Sequence, residues 1–579
     1  MSKPRKSAQP QRVRTRWLAL SLLLIFVVYL GAANIGPPAL GLWQDDGIYL
    51  CTAKSLAEGA GYRHIELPTR PLQTKYPILY PAVLAACFLI SPEHSKNLFL
   101  LLAPTAFAAA GMVVFSALYL RRVFGAPRRL VVLVGVLAML SPAIFSLVRF
   151  TMSDLLYGFL SAAALLLLDL KYAEAKTEKH RTLWLLASAC VVALAVLTRL
   201  MGLALAGAAL LTLIIKRRFR DVAFMILVVC LCVVPWWIWQ AAAARANGAI
   251  QSSTLEAPEL SYSLWLPHYL GQTVRVIYQN IMRAAFGIGY FQLAFPAQFT
   301  MSGIAEFSWK TVFIYLACYG SSLLILVGFW RSRASCQKLE SLAHKKEVRN
   351  LCWRTVHLYA ILYVGLMLVW PFEPFRFLVP WTPFLLYFLL TGLPAVGRDT
   401  ARRLPVRAVV RVLYAALVVL FLTEDGRIVA STGGSFYSRE IWSDCSEIRE
   451  LERWLRANTG NGDVIASDRP AGVFLATGRK GQYFWPDTDP YSLYYGRDRE
   501  WWNFYFLPGE SESQFVYDEM RRHLSDTYVN SRVTFCVEHT GANAQAVALA
   551  RIIAENPTWF ELRYTSPGGA YKVYRVTMS

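Results

Sequence analysis

The chain has 579 residues, of which 55% are hydrophobic, 14% aromatic and only 17% charged. Soluble domains carry about 25% charged residues, so this composition excludes an ordinary soluble protein and indicates a membrane protein. The formal net charge of +21 is compatible with nucleic acid or with an anionic membrane surface as a partner. Because the lysines and arginines cluster in short segments between apolar runs, we expect membrane lipids and no nucleic acid.

About eleven apolar segments predict transmembrane helices, each of which needs roughly 20 residues to cross a bilayer. In chain order they are 17–33, 97–120, 130–147, 155–170, 183–197, 200–215, 222–239, 311–330, 357–370, 377–393 and 409–422. The first follows several basic residues, as a signal peptide does. We interpret it as a retained helix, because further spans follow it and no small-residue cleavage site precedes a soluble domain.

The basic clusters set the orientation of these spans. They lie at 121–129, 171–181, 216–220, 331–354 and 398–407. All fall on the cytoplasmic side when the N-terminus is cytoplasmic, as the positive-inside rule requires. The sequence therefore predicts a multi-pass protein of the inner (plasma) membrane, with outer-face loops at 34–96 and 240–310. Residues 1–422 form the membrane domain, and residues 423–579 form an extracytoplasmic (periplasmic) domain.

The C-terminal segment alternates between helical and strand patterns, which indicates a small α/β domain. The predicted helices are 447–457 and 544–555, and the predicted strands are 463–466, 533–537, 560–564 and 570–576. Cys445 and Cys536 both lie in this segment. An extracytoplasmic location permits a disulfide between them, and the sequence leaves its formation open.

Three acidic residues stand at the outer ends of predicted spans. Asp45 and Asp46 open a helix-compatible segment after the first span, and Asp154 precedes the fourth. Adjacent carboxylates raise each other's pKa, and such arrangements are typical of functional sites. One interpretation is general-base catalysis, in which a carboxylate takes a proton from an attacking hydroxyl or amine. The alternative is helix capping, where carboxylates interact favourably with a helix N-terminus.

Four basic residues fall on the outer face, against the positive-inside trend. Arg70 and Lys75 lie in the first outer loop, Arg199 interrupts an apolar run, and Arg376 precedes a late span. A phosphate group on a ligand explains such cations, and interfacial arginines usually pair with a carboxylate or a phosphate. For Arg70 and Lys75 the alternative is an ordinary solvated loop.

The sequence requires no cofactor. It contains neither a P-loop nor a dinucleotide-binding glycine motif, which disfavours an ATP-driven transporter. His64, His268 and His357 lack metal-ligand spacing, so we expect no protein-built metal site. A divalent metal ion is therefore compatible with the sequence but unsupported by it.

The order of these motifs resembles the C-type (GT-C) glycosyltransferase superfamily, in its bacterial aminoarabinose transferase and protein O-mannosyltransferase-like branch. The first outer loop carries the resemblance, with Asp45-Asp46-x-x-Tyr49-x-x-x-Ala53 and then Lys75-Tyr76-Pro77. In that branch an Asp-Glu pair opens the loop and Lys-Pro-Pro follows, so Asp46 and Tyr76 are departures. Further similar motifs are Ser153-Asp154, Leu197-Thr198-Arg199-x-x-Gly202 and Arg376-Phe377-x-x-Pro380.

The resemblance implies a polytopic α-helical enzyme that moves a sugar from a polyprenyl-phosphate donor to an outer-face lipid, glycan or protein. It assigns Asp45 as the base that activates the acceptor and Lys75 as a contact to the lipid phosphate. We expect Asp46 and Asp154 to support Asp45. Arg70, Arg199 and Arg376 are further candidates for the donor phosphate, and Tyr49 and Tyr76 are candidates for the pocket.

Two other classes of protein stay open at this point: a transporter or flippase for lipid-linked sugars, and a non-catalytic assembly scaffold. A transporter needs charged or broken helices at the middle of the membrane, whereas the acidic residues here stand at span ends. The sequence does not distinguish inverting from retaining transfer.

Overall fold

The computed structural model describes residues 15–34, 44–93, 97–247, 309–342, 354–370, 376–393, 445–483, 532–540 and 544–577. It also describes Gly41 and some residues within 274–285, 412–426 and 514–524. These residues form a bundle of apolar helices and, after it in the chain, a small mixed sheet with helices.

The helices of the bundle are, in chain order, α1 (Thr15–Ala33), α2 (Gln44–Ala57), α3 (Leu79–Ile90), α4 (Leu98–Arg122), α5 (Arg128–Met139), α6 (Pro142–Val148), α7 (Ser153–Leu166), α8 (Glu178–Thr198), α9 (Gly202–Ile215), α10 (Phe219–Ala246), α11 (Trp309–Leu342), α12 (Thr355–Leu368) and α13 (Thr382–Gly392). A π-helical turn, Leu167–Tyr172, continues α7, and a 3-10 helix, Arg376–Trp381, precedes α13.

Four helices of the described chain are long and apolar enough to cross a membrane: α4, α7 with its π-helical turn, α8 and α10. The number is five if α5 and α6, which meet at an angle of 49°, form one broken span. Pro142 begins α6 and disfavours helical geometry at the residue before it, which explains the break. Shorter apolar helices occupy the predicted spans 17–33, 200–215 and 357–370, and 409–422 lies largely outside the described residues. The full count of eleven spans therefore stays a prediction.

The first outer loop contains two helices. One is α2, whose first turn carries Asp45 and Asp46. The other, α3, is a 12-residue apolar helix that was not predicted from the sequence. Between them the chain forms a short antiparallel bridge at Arg63 and Leu72. The described part of this loop is therefore a folded layer over one end of the bundle.

The C-terminal part contains α14 (Cys445–Asn458), β1 (Val464–Ala466), α15 (Pro470–Thr477), β2 (Lys480–Gln482), β3 (Phe535–His539), α16 (Ala544–Glu555), β4 (Phe560–Thr565) and β5 (Tyr571–Val576). These elements confirm all six helices and strands predicted in this segment; α15 and β2 were not predicted. The strands form one sheet in the order β2-β1-β3-β5-β4, in which β1 runs parallel to β2 and β3 and the other pairs are antiparallel.

Helices cover both faces of this sheet. Successive strand residues point to opposite faces. Val573 packs in one apolar core with Leu451 and Leu455 of α14, whereas Tyr574 packs in another with Leu549 and Ile552 of α16. Cys536 is buried in β3, and the side chain of Cys445 lies outside the described residues.

Candidate functional site

Four charged residues from distant parts of the chain meet at one end of the helical bundle. Arg376 donates from Nη2 to Asp45 Oδ2 at 2.6 Å, and its Nε lies 3.6 Å from Asp154 Oδ2. Arg199 Nη1 lies 2.7 Å from the same oxygen of Asp154. Asp45, Arg376, Asp154 and Arg199 thus form a row of alternating charge, which we call the charge cluster.

Asp45 is anionic in this arrangement. The Tyr76 hydroxyl donates to Oδ1 while Arg376 donates to Oδ2. Burial on its own raises the pKa of Asp45, but the charges of Arg376 and Lys75 and the hydrogen bond from Tyr76 outweigh burial and lower that pKa to about 2. Substrate-free Asp45 is therefore a weak base held between two donors.

Asp154 is fully buried in the first turn of α7. Its Oδ2 lies at ion-pair distance from the two arginines, and in the described part of the chain neither oxygen accepts a hydrogen bond and Oδ1 has no charged neighbour at such a distance. Buried carboxylate oxygens are nearly always hydrogen-bonded in native proteins. The unpartnered Oδ1 is therefore a natural contact for a polar group of a ligand.

Arg199 owes its position to the break between α8 and α9. The backbone of Arg199 is extended and ends α8. The chain then turns so tightly that a Cβ on Gly202 would lie 2.5 Å from Val196 N, so only glycine fits there. Arg199 stacks over the Phe377 ring at 4.9 Å and donates to Ser153 Oγ at 3.1 Å. These contacts hold its guanidinium against Asp154.

The two predicted pocket tyrosines line the same site. The rings of Tyr49 and Tyr76 lie 5.0 Å apart, and Tyr49 OH is 2.9 Å from Ser153 Oγ. Lys75 is buried with 8% of its surface exposed, and its Nζ lies 5.5 Å from the Tyr76 ring. Its charge acts on Asp45. The structure therefore brings Asp45, Asp154, Lys75, Arg199, Arg376, Tyr49 and Tyr76 together.

Sequence reasoning missed the residues that hold the Lys75 segment in place. Gln73 Oε1 accepts from Lys75 N at 2.7 Å. Gln240 Nε2 donates to Thr74 O at 2.5 Å, and Asn247 both accepts from Leu72 N and donates to Leu72 O, at 3.0 and 2.7 Å. Gln240 and Asn247 are polar amides at the end of the apolar helix α10. An amide side chain in an apolar helix was the only sign in the sequence that these residues make structural hydrogen bonds. The sequence does not indicate that their partners lie in the Lys75 segment.

Two predicted site residues lie apart from the charge cluster. Arg199 and Arg376 pair with Asp45 and Asp154 and not with Asp46, whose Oδ2 accepts from Gly41 N at 2.8 Å. Successive helical residues point about 100° apart, which explains why the two adjacent aspartates separate. Arg70 is exposed at the tip of the loop, where its charge acts on Lys480 of the C-terminal part.

No group of three or more His, Cys, Asp and Glu side chains is arranged to hold a metal ion among the described residues. His64 Nδ1 is hydrogen-bonded to Glu66 Oε1 at 2.7 Å, and His357 Nε2 to Ser332 Oγ at 2.9 Å. His268 lies outside the described residues. The charge cluster itself contains two carboxylates, and the Arg376 guanidinium lies between them.

The charge cluster lies at the opposite end of the bundle from the basic residues that end α4 and the π-helical turn after α7. Asp154 stands in the first turn of α7, and Lys171 lies in the π-helical turn that ends the same element. These 20 residues extend over about 30 Å at 1.5 Å per residue, the thickness of a bilayer core. Arg121 and Arg122 end α4 at the same side as Lys171, since Tyr119 near the end of α4 donates from its hydroxyl to Asp169 Oδ2.

No protein-family model matches the sequence, and no curated protein matches it either. Solved structures do match. ArnT from Cupriavidus metallidurans bound to undecaprenyl phosphate aligns with a TM-score of 0.53 and 13% identity, over 98% of this chain and 99% of that chain. The archaeal oligosaccharyltransferase AglB from Archaeoglobus fulgidus, in complex with an inhibitory peptide and a dolichol-phosphate, aligns with a TM-score of 0.55 and 12% identity, over 97% of this chain and 74% of that chain.

Both of these proteins are GT-C glycosyltransferases. At such low sequence identity the similarity concerns the fold, and it extends through the helical bundle and the C-terminal part alike. Together with the apolar helices, this similarity identifies a polytopic membrane protein. The chain therefore has the fold of the GT-C glycosyltransferases.

Proposed function

We propose that the protein transfers a glycosyl group from a polyprenyl-phosphate donor to an acceptor on the outer face of the membrane. The observation that carries this proposal is the charge cluster. It places two carboxylates and two guanidinium groups, with Lys75 beside them, at one end of a GT-C-type bundle. Phosphoryl oxygens are recognised by arginine and lysine, and proton transfer from an acceptor requires a carboxylate.

Lys75, Arg199 and Arg376 bind the donor phosphate in this proposal. Asp45 and Asp154 now neutralise the two arginines, and an arriving phosphate competes for the same guanidinium groups. Arg376 is the more accessible of the two, since 20% of its side chain is exposed, compared with 10% for Arg199. Asp154 Oδ1 is left for a donor group, and a sugar hydroxyl suits it.

Asp45 acts as the base, and donor binding makes it a stronger one. Arg376 and Lys75 hold the pKa of Asp45 near 2. A phosphate that draws these cations away removes that support, and burial then raises the pKa of Asp45. The acceptor O–H or N–H passes its proton to Asp45 as the acceptor atom bonds to the anomeric carbon. The bond from that carbon to the phosphate oxygen breaks, and the polyprenyl phosphate leaves with the electron pair.

The site faces outward in this proposal. The basic residues at the opposite end of the bundle belong on the cytoplasmic side by the positive-inside rule. The charge cluster, the first outer loop and the C-terminal domain from about residue 423 then lie in the extracytoplasmic space of a plasma or inner membrane. A hexosyl or pentosyl group is the transferred unit, and the acceptor is an outer-face lipid, glycan or protein.

Asp45→Asn tests the proposal. This substitution keeps the shape of the side chain and removes its charge, so we expect normal membrane insertion and loss of turnover by at least 100-fold. Asp518→Asn is the matched control, because Asp518 is exposed and hydrogen-bonds only to Gln514 among the described contacts. Near-normal transfer by the Asp45 variant in purified membranes would contradict the role of Asp45.

Mass spectrometry of lipid-linked sugars, with and without the gene, identifies the donor. Accumulation of one polyprenyl-phosphate sugar in the deletion strain supports the proposal. If purified protein in liposomes moves that labelled lipid across the bilayer without consuming it, the protein is a carrier and not a transferase.

A further inference from the structure

The C-terminal part of the chain packs against the helix that carries Asp45, and glycine makes this contact close. A Cβ on Gly472 of α15 would lie 2.5 Å from Gly41 O, and a Cβ on Gly47 of α2 would lie 2.8 Å from the Ala471 Cβ. Real Cβ atoms do not approach a backbone oxygen or another methyl group so closely. A larger side chain at residue 472 therefore moves α15 away from Gly41, just before α2, and a larger side chain at residue 47 moves α15 away from α2 itself.

A second set of contacts stabilises the same interface, between β2 and the first outer loop. Gly481 N of β2 donates to Glu66 O at 2.9 Å, and Lys480 Nζ donates to Ile65 O. The segment 65–66 of the first outer loop thus covers the open edge of β2, which pairs with β1 on its other side. Cys51 of α2 is fully buried at this interface, where it packs with Ile65 and Ala471.

The interface continues to the reacting end of α2 through hydrogen bonds. Gly41, which packs on Gly472, donates its N–H to Asp46 Oδ2 at 2.8 Å. Asp46 is fully buried and adjoins Asp45 in the first turn of α2. A displacement of α15 therefore reaches Asp45 through Gly41 and the Asp46 carboxylate. This chain of contacts assigns Asp46 a structural task that differs from that of Asp45.

We propose that the C-terminal domain positions the catalytic helix α2, and that Gly472 is a positioning residue for Asp45. This inference rests on the proposed function. A misplacement of a catalytic group by about 1 Å can cost about 100-fold in rate. Because Lys75, Arg199 and Arg376 stand on other elements, we expect a displacement of α2 to change donor binding much less than it changes the position of Asp45. A loosened contact therefore lowers kcat and leaves the KM for the donor nearly unchanged.

The experiment compares Gly472→Ala with Gly462→Ala in the full-length protein. Gly462 lies in the same domain, and a Cβ there meets nothing within 4 Å. The donor is the polyprenyl-phosphate sugar that accumulates in the deletion strain. We expect Gly472→Ala to lower kcat at least tenfold with the KM for the donor within twofold, and Gly462→Ala to change neither. Alkylation of Cys51 by a maleimide, followed by mass spectrometry of its peptide, should be at least fivefold faster in Gly472→Ala.

Lys480→Met provides a second variant if Gly472→Ala fails to fold, because Lys480 is half-buried and lies outside the apolar cores of the sheet. We expect it to lower kcat and to expose Cys51 in the same way, and Lys480→Arg to restore both. Faster alkylation of Cys51 with a normal kcat would overturn the positioning role, and so would no change in either quantity. A wild-type protein that consumes no donor would instead refute the proposed function on which the inference rests.

Discussion

Tyr76→Phe removes one hydrogen bond to Asp45 and leaves the rest of the site intact. The Tyr76 hydroxyl donates to Asp45 Oδ1, while its ring packs on Tyr49 at 5.0 Å and lies beside Lys75. Phenylalanine keeps the ring contacts. The substitution therefore isolates the contribution of one hydroxyl to the charge state of the proposed base.

The size of the effect follows from the chemistry of this hydrogen bond. A hydrogen bond to a charged group contributes about 1.5–3 kcal/mol, and 1.36 kcal/mol corresponds to about one pH unit in a pKa. We therefore expect the pKa of Asp45, which is about 2 in the intact site, to rise by about 1–2 pH units. Its ordinary value is 3.8. A lowered pKa stabilises the folded state at a pH above the ordinary pKa, and this stabilisation disappears as the pH falls toward the lowered pKa. Because the pKa of Asp45 is lowered less in the variant, the variant is less stable than the wild type at neutral pH.

The assay is kcat/KM for the donor between pH 3 and 8. At neutral pH Asp45 is anionic in both proteins, so the variant keeps its rate within about tenfold. Its acidic limb should begin about 1–2 pH units above that of the wild type. Tyr80→Phe is the control, because Tyr80 is a buried neighbour whose hydroxyl bonds to Thr105 Oγ1 at 2.7 Å and not to Asp45. Identical acidic limbs in the wild type and Tyr76→Phe would refute the reasoning.

Two further substitutions test the cations. Arg199→Gln leaves the buried Asp154 carboxylate without its 2.7 Å partner and should destabilise the protein by about 3–5 kcal/mol. Arg181→Gln should cost less than about 1 kcal/mol, because the partner of Arg181, Glu178, is 80% exposed. Thermal unfolding in detergent measures both losses, and equal losses would contradict a buried pair. Lys75→Met should raise the KM for the donor about tenfold or more, since a charged contact to phosphate contributes about 1.5–3 kcal/mol, and Lys54→Met should leave the KM unchanged.

Much of the fold follows from local pattern. The apolar run at 97–120 predicts α4, and the periodicity of 544–555 predicts α16, which the structure places at Leu98–Arg122 and Ala544–Glu555. Such elements are readable because a bilayer or a core selects residues at every turn. The short elements were missed for the opposite reason. β2 has three residues, Lys-Gly-Gln, without an apolar side chain, and the eight residues of α15 begin with Pro-Ala-Gly. β1 is as short as β2, but its residues, Val-Ile-Ala, are all apolar and therefore indicated a buried strand.

The candidate site, like the fold, was predictable from the sequence only in part. The sequence by itself indicated the side chains that we propose to carry the chemistry, because acids and arginines are costly beside apolar spans and stand out there. Only the tertiary structure decided their partners: 331 positions separate Arg376 from Asp45, and no local pattern records a contact over that distance. Helix geometry then divided the adjacent pair, turning Asp45 toward Arg376 and Asp46 toward Gly41, because successive helical side chains point about 100° apart.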